Sequence, residues 1–309
     1  MSIRRIRAFY GLLDLVQRRS VVQRFDAAVE RQRGSRADLE RYAAERLREV
    51  LERARRDVPF YAERLGRVAG SAEDLAGAAF AAIPPLEKAA IAEAGDRLLA
   101  RGGRLGAPGV QVVTSGGTTG PATRIALDAA AADAHAGAAL RTFLWWDADP
   151  TRSHAMLWGC PPEENTYLSR SGRLKGRILG RTLLETYGLD AAGARRHYEA
   201  LRAKPLDHVA GYSSALVRVA AFAPLGATPR IRAGVAAAAE PIFDFQRPAI
   251  ERAFGAPLFD RYGCNEFSAI AHACRAGRLH VGIDRVRIDL VREDGSPAAH
   301  GEIGRVLVT

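Results

Sequence analysis

Two short stretches hold residue types whose order could do chemistry. The first is Thr114-Ser115-Gly116-Gly117-Thr118-Thr119-Gly120. Its glycines let the backbone turn sharply and bring N–H groups close to a ligand. Its hydroxyls can donate to phosphate oxygens without adding charge. The chemistry they suit is the cradling of phosphates. It is not a Walker A loop, which needs G-x-x-x-x-G-K-[ST] opening into a helix. Pro121 stands where the lysine would be, and Thr123 to Leu127 reads as a returning strand. A Ser/Thr/Gly linker has a similar composition, but a linker is expected between domains, not between two apolar runs. The second stretch is Leu258-Phe259-Asp260-Arg261-Tyr262-Gly263-Cys264-Asn265-Glu266. An apolar strand is predicted to end in a turn carrying an aromatic, a glycine, an amide and a carboxylate, and a carboxylate suits a hard cation. A third set, Cys274 and His280 with His272, has metal-ligating types but no C-x-x-C pair, and Cys160 and Cys264 lie far off in sequence. Isolated core or surface residues are the expected reading there.

The elements that must position these stretches follow from periodicity. Val110 to Val113 reads as a buried strand leading into the first stretch, and Ala129 to Phe143 as an Ala-rich helix after it. Ser153 to Gly159 is strand-like. Pro205 to Leu216 reads as strand, tight turn and helix, with Ser213 as the predicted N-cap. Ile231 to Val235 is a further strand, turning through Ala238-Ala239-Glu240-Pro241-Ile242 into a helix from Phe243 to Phe254. Upstream, residues 1–34 read as helical and basic. Asp38 to Val58 is an amphipathic helix broken at Pro59, and Leu86 to Ala94 can start another. Downstream, Val286 to Val291 and Ile303 to Val308 alternate as strands, with Asp294-Gly295 a turn signal between them. Strands alternating with helices predict an α/β fold, a mixed or parallel sheet wrapped by helices, with a small β-rich subdomain at the C-terminal end. Ligands in such sheets bind outside the carboxyl ends of the strands. The expected division is residues 1–64 as a helical segment, 65–275 as the α/β core and 276–309 as the β-rich part.

Composition narrows the classes. A chain of 309 residues with 48% hydrophobic content can bury a sizeable core. The net charge of +10 raises nucleic acid or a membrane surface as partners. All but Lys88, Lys175 and Lys204 of the 45 basic residues are arginines, and the N-terminal ones are read as a solvated helical face rather than a base-stacking groove. No nucleic acid is therefore expected. No apolar run is long enough to span a bilayer. Asp14 interrupts the mildly apolar stretch Ala8 to Val16 and no small-residue cleavage site follows, which argues against a signal peptide. Three cysteines are too few for a disulfide framework, so a cytoplasmic location is expected.

The order T-S-G-G-T-T-G-P-A resembles the phosphate loop of adenylate-forming enzymes, the acyl/aryl–coenzyme A ligase superfamily. The segments Val58-Pro59-Phe60-Tyr61-Ala62-Glu63-Arg64-Leu65, Ile83 to Lys88 and Gly211-Tyr212-Ser213-Ser214-Ala215-Leu216 resemble its branch of phenylacetate–coenzyme A ligases and capsule-biosynthesis adenylating proteins. The resemblance runs from about Leu47 to Thr309. It implies ATP-dependent activation of a small carboxylic acid to an acyl-adenylate, with magnesium, and with coenzyme A or a carrier protein as the acceptor left open. It implies that Thr114, Ser115, Gly116, Gly117, Thr118, Thr119 and Gly120 hold phosphates, Thr118 also serving catalysis. Ala239, Glu240 and Pro241 would lie at the adenine with Asp260, Arg261 and Tyr262. Gly263 and Asn265 would belong to the same nucleotide site, and Glu266 would hold the metal and serve catalysis. Asn265 departs from the family's usual threonine. Phe143 or Trp146 would line the acid pocket. Relatives continue into a ribose-binding strand end, a hinge and a small domain with a catalytic lysine, and the sequence stops before all three. The expectation is a ligase incomplete without a separate C-terminal domain. A catalytically degenerate nucleotide- or partner-binding protein is the alternative.

Overall fold

The structure is a computed structural model that describes residues 3–68, 70–114, 123–159, 166–224 and 226–309. In chain order, the helices α1 (Ile3–Gln17), α2 (Val21–Arg31), α3 (Arg36–Asp57), α4 (Pro59–Gly66), α5 (Ala72–Ala76) and α6 (Lys88–Ala94) come first. An antiparallel pair follows, β1 (Gln111–Thr114) and β2 (Arg124–Leu127), and then α7 (Ala129–Thr142). Next come β3 (His154–Trp158), α8 (Arg170–Ile178), β4 (Arg181–Glu185), α9 (Ala191–Arg202), β5 (Leu206–Tyr212), α10 (Ser213–Ala220), β6 (Ile231–Ala238), α11 (Gln246–Phe254) and β7 (Leu258–Cys264). The chain closes with β8 (Ser268–Ala273), β9 (Leu279–Val281), β10 (Ile288–Val291) and β11 (Arg305–Val308). This is the expected α/β order.

The chain forms two compact units. One comprises Met1–Asp26, Ala134–Cys264 and Ser268–Val281; the other comprises Ala27–Asp133, Asn265–Phe267 and Gly282–Thr309. The first holds a seven-stranded sheet of order β4-β3-β5-β6-β7-β8-β9. The strands β4, β3, β5, β6 and β7 run parallel, and β8 and β9 add on antiparallel. The chain leaves β3 for β4 on one side and then crosses to β5 on the other, so the strand order reverses between β3 and β5. Successive residues of β6 alternate between two faces. Val235 and Ala237 join Leu157, Val209 and Leu258 under Tyr198, Leu201, Leu216, Val219, Ile250 and Phe254 of α9, α10 and α11. Ala236 faces the other way, among Trp146, Ala148, Phe259 and Ala273. Each fully buried large apolar side chain contributes about 1.5–3 kcal/mol. Tyr198 adds a polar tie, its hydroxyl 2.7 Å from the Ala253 carbonyl and 3.0 Å from that of Ala227.

The second unit holds the small core of Leu51, Leu65 and Leu75, the β1–β2 pair and the antiparallel β10–β11 pair. Its long helix α3 starts at a capping box: the Asp38 N–H donates to Ser35 Oγ at 3.2 Å, and the Ser35 N–H donates to the Asp38 carboxylate at 3.1 Å. Val58 ends α3 and caps α4, whose first residue is Pro59.

Some local expectations differ from what the chain does. The strand before the phosphate-type stretch is present but not buried; Val112 is exposed, and among the described residues β1 pairs only with β2 and joins no larger sheet. Ser213 is not an N-cap. Tyr212 holds that position, and the Ser213 hydroxyl donates to the Glu240 carbonyl instead. The helix expected from Phe243 starts at Gln246, whose side-chain oxygen accepts the Phe243 N–H at 3.0 Å and holds the preceding turn. The strand β7 does not end before its motif; it runs through Cys264 because β8 pairs with it as far as Cys264↔Ser268.

Burial sets a pH dependence. Desolvation holds the His154 and His272 imidazoles down at about 4, with the His208 charge adding to the effect at His154. A folded pKa below the unfolded value near 6.5 means the native state binds fewer protons between those limits. The contribution is fully present above about pH 6.5 and is lost as pH falls toward about 4. It is on the order of 3 kcal/mol per histidine. Urea unfolding across this range should show stability falling with pH, and His272→Phe should flatten the slope. A slope unchanged in that variant would show that His272 titrates normally in the fold.

Candidate functional site

In the second unit, two motifs far apart in sequence meet at one hydrogen bond. Asn265 Nδ2 donates to the Thr114 carbonyl at 2.6 Å. Thr114 is the last residue of β1 and opens the Gly/Thr stretch. Asn265 opens the turn 265–267 that follows β7. The other end of that turn is held by Arg285, which donates to the Phe267 carbonyl at 3.3 Å. The partly buried Glu266 lies between these two anchors in sequence, and among the described residues its carboxylate has no hydrogen bond or ion pair. Ser115, Gly116, Gly117, Thr118, Thr119 and Gly120 lie outside the described residues, as do Pro121 and Ala122.

In the first unit, the carboxyl ends of β6 and β7 lie side by side in parallel register, Ala237 beside Asp260 and Ala238 beside Arg261. Beyond β6 the chain turns at Ala239, a non-glycine residue at φ 68°. This left-handed conformation is costly for a residue with a Cβ. What holds it is Glu240. Its carboxylate accepts from the Ser214 N–H at 2.7 Å and the Ser214 hydroxyl at 2.9 Å, and its carbonyl accepts from Ser213 Oγ at 3.2 Å. A carboxylate at the start of α10 satisfies an otherwise orphaned N–H and meets the positive end of the helix dipole. The Glu240 side chain is therefore committed to the fold, and Ala239 and Pro241 present backbone at this edge. Burial raises the Asp260 carboxyl above its ordinary value, with Arg247 pulling the other way. Tyr262 and Gly263 stand on β7 itself rather than in a turn, and Tyr262 is 42% exposed. A Cβ on Gly263 would come within 2.2 Å of the Ser268 carbonyl, so the close approach of β8 requires glycine there.

One feature of this edge carries no single-residue signal in the sequence. Trp158 at the end of β3 stacks on Tyr212 at the end of β5, ring centroids 4.2 Å apart, across the strand-order reversal. The Tyr212 hydroxyl donates to the Gly159 carbonyl at 3.3 Å. Gly159 is forced by its neighbours, since a Cβ would fall 2.1 Å from Glu185 Oε1. That oxygen accepts the Thr186 and Tyr187 N–H groups, each at 3.0 Å. Only the Gly-Tyr-x-Ser pattern around Tyr212 pointed here.

Trp146 does not line a pocket. It is 1% exposed, closed in by Phe259, Ala233, Ala236 and Ala273, with Phe143 stacked on it at 5.8 Å. Its burial is set by β6, β7 and β8, which periodicity around residue 146 does not reveal. His272 also stacks on Trp146, ring centroids 5.5 Å apart, and its Nδ1 bonds the Ala273 carbonyl, while His280 lies against Trp145. Among the described residues no three His, Cys, Asp or Glu side chains cluster as a metal site. No described helix is long and apolar enough to cross a membrane.

No family model and no curated protein matches this chain. Solved structures do. The chain is similar to 2-hydroxyisobutyryl-CoA ligase in an open conformation, in complex with 2-HIB-AMP and CoA, with a TM-score of 0.70 and 16% identity over 89% of this chain and 66% of that one. The same ligase in its thioesterification state gives a TM-score of 0.69 at 16% identity, over 89% of this chain and 60% of that one. In the postadenylation state with 2-HIB-AMP it gives 0.65 at 16% identity, over 86% and 58%. The likeness is one of fold: the chain has the adenylate-forming enzyme fold. It spans 66%, 60% and 58% of these three ligase chains.

The Glu240 anchor yields a stability prediction. Glu240→Ala should destabilise the first unit by about 1 kcal/mol, the usual cost of a lost helix cap. The denaturant midpoint should fall with an unchanged slope. A midpoint that does not move would show that Ser214 finds another partner and that the turn at Ala239 holds without the carboxylate.

Proposed function

We propose that the chain is the nucleotide- and acid-binding part of an adenylate-forming acid ligase. In this reaction a carboxylate oxygen of the acid attacks the α-phosphorus of ATP, the bond to the β-phosphate breaks, and acyl-adenylate and pyrophosphate result. The observation that carries the reading is the Asn265–Thr114 hydrogen bond, which joins the Gly/Thr stretch to the turn bearing Glu266. The fold of 2-hydroxyisobutyryl-CoA ligase, a protein solved with an acyl-AMP and CoA, supports it. On this reading Thr114 to Gly120 grip the phosphates through N–H and hydroxyl donors, with Thr118 placed to act on the transferring group. Backbone groups of Ala239 to Pro241 and Asp260 to Tyr262 receive the adenine, and Gly263 and Asn265 belong to the same nucleotide site.

Magnesium fits the residues present. Glu266 offers a carboxylate that no described protein group occupies, and hard cations of this size favour oxygen ligands and substrate phosphates. Bound there, the ion would neutralise phosphate charge. Coenzyme A or a carrier thiol is the acceptor we assign to the second half-reaction. The segments around Val58–Leu65, Ile83–Lys88 and Gly211–Leu216 support assigning the chain, in our reading, to the branch of phenylacetate–coenzyme A ligases and capsule-biosynthesis adenylating proteins. The division at residues 64 and 275 and a cytoplasmic location belong to the same proposal.

Calorimetric titration with ATP tests it. ATP should bind, and Glu266→Gln should weaken binding about tenfold with Mg²⁺, equivalent to about 1.4 kcal/mol, while leaving Mg²⁺-free binding unchanged. Equal losses in both conditions would remove Glu266 as the metal contact, and failure to bind any adenine nucleotide would overturn the whole reading. A second variant probes the link between the motifs. Asn265→Ala should lower ATP affinity while costing about 1 kcal/mol or less in stability, because the lost bond is exposed. An unchanged affinity in a folded variant would separate the two motifs functionally.

A further inference from the structure

Helix α8 (Arg170–Ile178) is used by neither the nucleotide reading nor the core. Its inner face is two glycines, Gly172 and Gly176, both buried. Everything else on it is exposed: Arg170, Ser171, Arg173, Leu174, Lys175, Arg177 and Ile178. Four cations and no acid stand on nine residues. Arg173 donates through Nε to the Leu168 carbonyl at 2.9 Å, and among the described residues Arg170, Lys175 and Arg177 have no ion-pair partner. Leu174 and Ile178 lie one turn apart among these cations, 59% and 52% exposed. Single exposed aliphatics are ordinary on a protein surface. Here the pattern recurs on α1, in the same unit. Leu12, Leu15 and Val16, at spacings of three and four, are 63–80% exposed, with Arg4 and Arg5 before them and Arg18 after; Asp14 stands among them and Arg5 also pairs with Asp149 at 3.7 Å. Arg181 lies beside α8. A Cβ on Gly176 would lie 3.7 Å from its guanidinium, and its charge acts on the Tyr10 phenol of α1.

We propose that the outer face of α8, with the similar face of α1 in the same unit, docks on an anionic lipid bilayer. Cations ringing exposed aliphatics match a headgroup region over acyl chains. The guanidinium and ammonium groups meet lipid phosphates while Leu174, Ile178, Leu12, Leu15 and Val16 enter the boundary below. A nucleic-acid backbone would satisfy the cations but has no place for the aliphatics, and α8 offers no aromatic ring for a base to stack on. The protein lies on such a surface rather than across it, since no described helix is long and apolar enough to span one. This inference stands independently of the ATP reading.

Vesicle flotation with the full chain tests it, using phosphatidylcholine alone and phosphatidylcholine mixed with phosphatidylglycerol. Binding is expected only to the mixed vesicles, and it should weaken as salt rises. The triple variant Arg170→Gln/Lys175→Gln/Arg177→Gln should lose affinity about fivefold for each cation removed, roughly a hundredfold in all. Leu174→Ser/Ile178→Ser, which leaves charge untouched, should also lose binding. Both variants change exposed positions, and an unchanged thermal melt confirms that they fold. No binding to anionic vesicles by the unaltered chain overturns the proposal. So does full binding by the aliphatic double variant. If that variant also binds a nucleic-acid duplex as tightly as the unaltered chain does, the surface is a polyanion site instead.

Discussion

Parallel strands cannot be joined by tight turns; each pair needs a crossover that carries the chain back over one face of the sheet. That constraint organises the first unit. It places α8, α9, α10 and α11 between successive strands and leaves β3, β5, β6 and β7 largely apolar, because helices cover the sheet. It also gathers every strand-to-helix turn at one edge, where backbone groups that have left the ladder need new partners. Each turn solves this with a nearby side chain: Glu185 accepts two N–H groups of its own turn, Glu240 caps α10, and Tyr212 reaches the Gly159 carbonyl. The backbone of Ala239 and Pro241 is held in place by these bonds rather than by burial.

The opposite edge is closed by charge. Asp207 accepts from the Asp149 N–H at 2.6 Å and from Arg232 Nε at 2.7 Å, and lies 3.1 Å from His208 Nδ1. Burial alone would raise its carboxyl, yet the bonds from His208 and Arg232 outweigh burial and hold it below its ordinary value. His154 stacks flat on His208 at 4.7 Å, and Arg232 also reaches the Asp147 carbonyl. Removing Arg232 or His208 would leave the buried Asp207 carboxylate with fewer partners, although solvent at the exposed Arg232 moderates the cost. One end of the sheet is thus locked by mutually satisfied side chains, and the other is built from turns that present backbone.

What could be read from the sequence depended on how local its cause was. Strand-helix alternation came through because each element carries its own periodicity, as in Leu206 to Tyr212 and the helix after it. Ser213 was misassigned because its true acceptor, the Glu240 carbonyl, is 27 residues away in the chain and reaches it only through strand pairing. The length of β7 was underestimated because its last pairs are made by β8. Val110 to Val113 looked buried because apolar runs usually are, and only the pairing pattern shows that no large sheet surrounds them. Trp146 has the composition of a pocket wall and the environment of a core. The Trp158–Tyr212 stack needs the crossover between β3 and β5 to exist at all. Of the candidate site, the meeting of the two motifs was legible from residue types; the bond that joins them was not.

That bond gives the departure at position 265 a physical meaning. The resembled family has threonine where this chain has Asn265. A carboxamide carries two N–H donors and an acceptor on a longer reach than a hydroxyl. One of its donors is engaged at the Thr114 carbonyl, 2.6 Å away, and the exposed amide keeps the rest of its capacity. In the proposed site, Asn265 therefore spends one donor on the backbone of Thr114, with Glu266 as the next residue in the same turn.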